Sequence, residues 1–513
     1  MSGYDAIVIG SGMGGLSAAA ALARGGRRVL VLEQYQSIGG LSGSFARNGF
    51  KWDAGLHYLG DMGPGDPDRA VLDWLTDTPM EFASMGPVYD TLHFPDGFDL
   101  ELSRPEAAQR LDLMERFPDR HSEIEAWFNA MHQGAQAMRS VLQVRALPEP
   151  FASAVALWNR GSIERWCGRT LAEVLAETTA DPRLAAVLGA QWADDGGRPR
   201  TGSFGIHALT VGSYLLSGAY YPIGGAESFA RHLVPTIKAA GGDVQVGRKV
   251  TRITIEDGKA VGVETGAGSA HMAEIIVSDI GAHETVAGLL PPELQQSEWA
   301  RELLSLEPSP CHFSLFLGFE GDVEAAGATR SNHWVHASWQ TDVLWTDLDT
   351  QPSPPGLFIS FGSLKDPAHE PGPTRRHSGE VIAFADWSMV ERWADLGPDA
   401  RGPDYAAFKA RVEQAMLDRF ARQFPRLAPL IAYRELATPL ATVSITGHRR
   451  GGFYGLENSP RRAATNALRM KTPIPGLYLC GQDVVTPGIF GAMWGGVLAA
   501  ASVDPRVFQH IRG

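Results

Sequence analysis

Six residues near the start, Gly10-Ser11-Gly12-Met13-Gly14-Gly15, have the spacing G-x-G-x-x-G, a pattern that holds a phosphate with backbone alone. The first glycine makes a tight turn, the second lets the chain approach a pyrophosphate, and the last, beside Gly14, lets a helix pack close to a strand. The surroundings suit that chemistry. The uncharged run Ala6-Ile7-Val8-Ile9 predicts a strand before the turn, and the alanine-rich stretch to Arg24 predicts a helix after it. A helix starting there offers unpaired N–H groups and a positive dipole end to an anion. Arg28 to Glu33 reads as the next strand, and Glu33, placed to accept hydrogen bonds from an adenosine ribose, ends it. The expectation is a βαβ unit that binds a dinucleotide.

Further turns recur along the chain. Gln34-Tyr35-Gln36-Ser37-Ile38-Gly39-Gly40 continues from the ribose acid to a glycine pair, and Phe50-Lys51-Trp52-Asp53-Ala54-Gly55-Leu56-His57-Tyr58 follows. Tyr221-Pro222-Ile223-Gly224-Gly225, Gly247-Arg248-Lys249-Val250, Gly447-His448-Arg449-Arg450-Gly451, Tyr454-Gly455-Leu456-Glu457 and Leu477-Tyr478-Leu479-Cys480-Gly481-Gln482-Asp483 complete the set. On these residues the chain resembles the FAD-containing family of phytoene desaturases, carotenoid isomerases and amine oxidases. Within it the likeness is greatest to the retinol saturase group and its bacterial relatives, marked by D-x-G-x-H-Y. The resemblance covers nearly the whole chain and is weaker between about residues 80 and 200 and between 320 and 430.

The resemblance implies an FAD site assembled from distant segments. Gly10, Gly12, Gly14 and Gly15 would hold the pyrophosphate, Glu33 and Gln34 the ribose end, and Gly39 and Gly40 the turn beside the phosphates. Val250 would meet the adenine through its backbone. Gly481 and Asp483 would hold the pyrophosphate and ribityl end, and Gly491 to Met493 would bring a helix N-terminus to the flavin's pyrimidine edge. Many relatives carry an arginine after the second glycine pair, where this chain has Leu41-Ser42-Gly43-Ser44. A phosphate contact is therefore expected from backbone or from the Ser42 and Ser44 hydroxyls. His57 and Tyr58 are the candidate proton donors to carbon, with simple packing beside the ring as the alternative for His57. Tyr454 and Glu457 are secondary candidates. His448-Arg449-Arg450 and Arg461-Arg462 read as a solvated basic face, with anion contact as the alternative.

The elements that must position these groups follow from periodicity. Asp66 to Trp192 predicts a mainly helical insertion, with helices over 120–142 and 170–178. Glu227 to Ala240 predicts a helix, and 243–246, 249–256, 260–265 and 274–278 predict strands, with a hairpin at Asp257-Gly258. Strands at 312–319 and 357–361, a helix at 405–424, a strand at 476–480 and a helix at 491–502 complete the reading. The fold class expected is α/β, a discontinuous Rossmann-type FAD-binding domain with an inserted α+β substrate domain. Residues 1–75, 220–300 and 430–513 are assigned to the first, and 76–219 and 301–429 to the second.

Composition narrows the partners. Acidic residues outnumber basic ones by 58 to 45, a net charge of −13 that repels phosphate backbones and argues against nucleic acid. The three cysteines, Cys167, Cys311 and Cys480, form no CxxC pair, there is no H-E-x-x-H, G-x-S-x-G or P-loop pattern, and no metal site is expected. A start without a basic, then apolar leader and the unpaired cysteines suggest the cytoplasm, with contact to the inner face of a membrane. Two stretches lack Asp, Glu, Lys and Arg: 201–226 and 484–503. The second carries Pro487 and follows a cofactor turn, against a membrane span. The first is expected to line the substrate cavity and dip into a membrane, the alternative being a buried sheet and turn.

The function expected is an FAD-dependent oxidoreductase that saturates or desaturates carbon–carbon double bonds of a lipophilic polyene such as a retinoid or carotenoid. A carotenoid cis–trans isomerase using reduced FAD is the alternative. A non-catalytic prenyl binder like the GDP dissociation inhibitors is a rival of another class, opposed by the intact Glu33 and Gly-Gln-Asp features, and an amine oxidase is a third option. A second G-x-G-x-x-G is absent, so the electron donor or acceptor is unknown. Glycine, 58 of 513 residues and well above the usual ~7%, is explained by these converging turns.

Overall fold

Ala6–Ile9 and Val29–Leu32 are short, wholly apolar runs, and in the computed structural model both become fully buried parallel strands. Parallel strands covered on both faces need such continuous apolarity. The model describes residues 3–148, 151–266 and 268–510. Met1 and Ser2, part of the start read above, lie outside them. Helix Met13–Arg24 joins the two strands, and everything in it from Met13 to Ala23 is buried. The parallel sheet runs Leu477–Leu479, Ile275–Ser278, Ala6–Ile9, Val29–Leu32, Asp243–Gln245, with Ala6 opposite both Val29 and Ile275. Its five strands come from four stretches of chain widely separated in sequence.

The second large unit is a seven-stranded sheet in the order Ile431–Ala437, Cys311–Glu320, Arg376–Ala385, Gly356–Ser360, Asn332–His336, Val88–Phe94, Phe98–Ser103. Its pairings are antiparallel except where Asn332–His336 runs parallel to Val88–Phe94. Helices His121–Ala146 and Phe204–Ser217 pack on each other and on the sheet through Trp127, Phe128, Phe204 and Tyr214.

Two expectations need correction and one is refined. The insertion between 66 and 192 is mainly helical as expected, and within it 88–94 and 98–103 form a hairpin in the large sheet. Phe98–Ser103 places Leu100 and Leu102 inward against Asp99 and Glu101 outward, a period-2 signal obscured by the helical sequence after it. The boundary at 430 cuts off Ile431–Ala437, which pairs along Cys311–Glu320 and so belongs with the large sheet. The uncharged stretch 201–226 is mostly the helix Phe204–Ser217 followed by the short buried strand Tyr220–Pro222; Leu216 is its only large apolar residue with an exposed side chain, so it is no membrane-dipping surface.

The other uncharged stretch contains helix Gly488–Val503, packed on Met13–Arg24. A Cβ on Gly496 would lie 2.7 Å from the Ala18 nitrogen, so this glycine sets the close helix approach, and one on Gly495 would lie 2.7 Å from the Gly481 nitrogen, so the neighbouring glycine lets the same helix meet the Gly-Gln-Asp turn. Among the described residues no helix is long and apolar enough to cross a membrane.

Candidate active site

The glycine turn opens on a cavity of about 2210 Å³ that runs between the parallel sheet and the large sheet. Gly10, Gly12, Gly14, Glu33, Gln34, Gly40, Ser42, Val250, Gly481, Asp483 and Gly491 all line it, as do His57 and Tyr58. Gly15, Gly39 and Met493 do not. Gly15 is a packing position, since a Cβ there would strike the Gly10 carbonyl. Gly39 has φ 117° and makes the turn itself. Met493, within helix Gly488–Val503, is fully buried in the core rather than on the cavity wall. The helix start at Pro487 to Phe490 occupies the wall instead.

Hydrogen bonds hold the phosphate end rigid. Glu33 Oε2 accepts from the Ser11 backbone N–H at 2.9 Å and from Ser11 Oγ at 2.7 Å, while Oε1 accepts from the Tyr35 N–H at 2.8 Å. Ser11 Oγ in turn accepts from the Gly39 N–H at 3.1 Å, so one carboxylate ties both glycine turns together. The Ser42 hydroxyl donates to the Gly39 carbonyl at 2.6 Å and Ser44 Oγ donates to Asp53 at 2.5 Å, so both hydroxyl hydrogens serve the loop. Gln34 Nε2 reaches the Ile445 carbonyl at 3.0 Å. Asp483 accepts from the N–H groups of Ala282 at 2.8 Å and Leu456 at 3.3 Å, joining three distant segments.

The cradle fits a dinucleotide. No side chain of the N-cap residue caps helix Met13–Arg24, so the Met13 and Gly14 N–H groups of its first turn stay available on the cavity wall. A Cβ on Gly14 would stand 2.5 Å from Gly481 Cα, and one on Gly12 would stand 2.7 Å from Asp279 Oδ2. Two turns far apart in sequence thus meet backbone to backbone. Asp279, behind them, takes the Gly15 N–H, and burial pushes its carboxyl up to about 7. The partial neutralisation lessens its conflict with a phosphate.

The far end of the cavity is aromatic, with Phe316, Trp334, Phe358, Phe384 and Phe453 on its wall. His57 meets Phe358 edge-on at 4.8 Å. Burial, with Lys365 and His312 adding to it, drives the imidazole down to about 3, so His57 is neutral and carries no imidazolium proton to deliver. Tyr58 stacks on Tyr214 at 4.4 Å and donates to Asp90 at 2.9 Å, with Asp194 in short contact on its other side. Lys365 Nζ donates to the His57 carbonyl and Ser360 Oγ, both at 2.7 Å, and to Asn332 Oδ1. Burial raises Glu380, on the same wall, to about 8, which leaves it protonated at neutral pH. Tyr454 lines the cavity, whereas Glu457 is occupied by Thr201 Oγ1 at 2.5 Å.

Sequence reading missed Asp90, Asp194, Asp279, Lys365 and Glu380. Each stands in an ordinary stretch, and only the fold buries Asp90, Lys365 and Glu380 and brings Asp194 and Asp279 to the cavity wall. Arg462 was read as part of a solvated face. It is fully buried, donating to the carbonyls of Leu456 at 2.8 Å and Gln482 at 2.5 Å, and so clamps the Gly-Gln-Asp turn from behind. Arg450 pairs with Glu307 and Arg461 donates to Ser305, whereas Arg449 gives only its backbone N–H to Glu284 and lies on the cavity wall.

The chain is similar to known proteins along nearly its whole length. The all-trans-retinol 13,14-reductase of Rattus norvegicus is 32% identical over 98% of this chain and 86% of its own length. Prolycopene isomerase 1 of an Oncidium hybrid cultivar is 27% identical over 98% of this chain and 84% of its own. The solved structure of cyclohexylamine oxidase from Brevibacterium oxydans IH-35A superposes with a TM-score of 0.63 at 18% identity, covering 98% of this chain and 99% of the other. Residues 13–503 match the profile of the flavin containing amine oxidoreductases. That span takes in the large sheet, four of the five strands of the parallel sheet and most of the cavity between them, so the chain belongs to the flavin containing amine oxidoreductase family and is an FAD-dependent oxidoreductase.

Proposed function

We propose that this protein adds hydrogen across a carbon–carbon double bond of a lipophilic polyene, a retinoid or a carotenoid. The observation that carries the reading is the continuity of the glycine cradle with the aromatic chamber in one cavity of about 2210 Å³. Ordinary ligand pockets hold ~300–1,000 Å³, so this one has room for a dinucleotide and a long second ligand together. The relatives named for all-trans-retinol and prolycopene support that class of substrate.

In this reading Gly10, Gly12, Gly14, Gly40 and Gly481 hold the FAD pyrophosphate, and Gly15 and Gly39 shape the turns that present them. Glu33 faces the ribose, Val250 the adenine, Asp483 the ribityl end and Gly491 the pyrimidine edge. When bound, the flavin supplies hydride transfer to and from carbon. Phe316, Trp334, Phe358, Phe384 and Phe453 exclude water and orient the polyene. Electrons come from a partner outside this chain, which carries one dinucleotide turn only. A second reading, cis–trans isomerisation without net redox, is favoured by the likeness to prolycopene isomerase over the same 98% of the chain.

Anaerobic mixing of photoreduced holoenzyme with all-trans-retinol or a carotene separates the readings. Return of oxidised-flavin absorbance with substrate loss is the expected result. An isomerised substrate with the flavin still reduced would favour the second reading.

The substrate's insolubility implies delivery from a bilayer, and helix Phe151–Trp158 is suited to touch one. Phe151, Leu157 and Trp158 are 65%, 74% and 90% exposed, an apolar face turned outward. The helix before it, His121–Ala146, lines the cavity with Leu142 and Ala146. A Leu157→Ser/Trp158→Ser variant is expected to lose roughly a hundredfold in liposome affinity, taking ~1.5 kcal/mol or more per side chain. Unchanged co-sedimentation would remove this helix from the account.

A further inference from the structure

We infer that Asp194 is the carboxylic acid that gives a proton to the substrate carbon, kept protonated by its place at the end of a Tyr58–Asp90 chain. The inference rests on the proposed polyene reduction and names the acid that this chemistry requires.

The argument is a count of hydrogens. Tyr58 Oη sits between two carboxyl groups, 2.9 Å from Asp90 Oδ2 and in short contact with Asp194 Oδ2. A phenol has one hydrogen to donate, so the three groups need a second proton to make both contacts attractive. Asp90 also accepts N–H bonds from Gln191 at 2.7 Å, Asn332 at 2.9 Å and Trp334 at 3.1 Å. Four donors around one buried carboxyl suit the ionised form. Among the described residues the Asp194 carboxyl has only the phenol as a hydrogen-bond partner. The second proton therefore belongs to Asp194, which donates to Tyr58, which donates to Asp90.

The charges around Asp194 agree. Asp90 faces it across Tyr58, and Asp195, tied to buried His207 at 2.7 Å, follows it in the chain. Tyr214 and Tyr454 are the neutral neighbours. The facing cation, Lys365, has its three N–H directions taken by His57, Asn332 and Ser360 rather than by Asp194. Burial first, then Asp90, raises Asp194 well above the usual carboxylate range.

Position makes that proton usable. Asp194, Tyr58 and Tyr214 line the cavity and Asp90 does not, so Asp194 is the carboxyl of the chain that meets the substrate space. In reduction, one olefinic carbon takes the Asp194 proton as the π bond breaks, and the other takes the hydride that reduced flavin provides. Two C–H bonds form and Asp194 is left as a carboxylate. Facing ionised Asp90, it regains a proton from water to reset the site. Asp90 and Tyr58 are the positioning residues.

The test uses the holoenzyme. Infrared difference spectra at neutral pH are expected to show a protonated-carboxyl band in the native protein that Asp194→Asn removes. An identical band in both would overturn the assignment, whatever the substrate proves to be. If that variant does not fold, Tyr58→Phe, which keeps the ring against Tyr214, is expected to shift the band by removing the acceptor; an unshifted band would equally overturn it. With a polyene that the native enzyme reduces, Asp194→Asn is expected to lower kcat about 10²–10⁴-fold with KM unchanged. Asp90→Asn is expected to move the alkaline fall of kcat to lower pH, since Asp194 then ionises without a facing carboxylate; a profile left in place would count against the chain. Native enzyme that turns over no polyene would defeat the functional reading and leave the infrared result to decide the protonation state.

Discussion

A Gly14→Val variant is expected to purify with at least about tenfold less bound flavin per protein than the native chain. The reason is the meeting of two backbones. A Cβ at Gly14 would stand 2.5 Å from Gly481 Cα and 2.8 Å from the Gly481 nitrogen, and it would also strike the Asp279 carboxyl. The obstacle is main chain, so no rotamer change relieves it, and overpacking of this kind costs ~1–3 kcal/mol. Parting the turns moves the first turn of helix Met13–Arg24 away from Gly481, on both sides of the phosphate site. A factor of ten in affinity corresponds to only ~1.4 kcal/mol. Flavin-to-protein absorbance after gel filtration checks this, and full occupancy in the variant would show that the two turns do not form one cradle.

The second large effect is expected from Arg462→Ala. Arg462 is among the largest fully buried side chains in the protein. Its guanidinium donates to the carbonyls of Leu456 and Gln482, and its own carbonyl accepts from buried Arg145. Burial lowers Arg462 only to about 10, so it remains charged at neutral pH beside Asp483. Truncation leaves two buried carbonyls unpaired at ~1–3 kcal/mol each and opens a cavity besides. A loss of about 4 kcal/mol in unfolding free energy is expected, accompanied by weaker flavin retention because Gln482 lies in the cofactor turn. Chemical denaturation of the variant with and without added FAD measures both. A loss below about 1 kcal/mol would mean that water replaces the clamp.

How much of this was legible in the sequence depended on how local each cause is. The βαβ opening was readable because strand, glycine turn, helix and Glu33 all fall within residues 6–33 and each carries its own signal. Gly481 and Asp483 were recognised from their motif, but nothing in sequence tells that Gly481 packs on Gly14. Met493 was misplaced because a motif match gives a position along the helix but not which of its side chains face the core, where Met493 is fully buried. Arg462 was read as solvated because two adjacent arginines usually are, whereas a buried arginine satisfied by carbonyls has no sequence pattern. The Asp194, Tyr58 and Asp90 chain draws partners from a loop, a short helix and two strands of the large sheet. Its meaning lies in counting donors in space, which no spacing rule encodes.

The account's central claim is that hydrogen is added across a carbon–carbon double bond in this cavity. The most direct test is the product mass after photoreduced holoenzyme acts anaerobically on all-trans-retinol in deuterated water. The account predicts a product that has gained two deuterium atoms, one at the carbon protonated by Asp194 and one at the carbon that takes the hydride, because the N–H hydrogen of reduced flavin exchanges with solvent. Recovery of substrate of unchanged mass, isomerised or not, would contradict it.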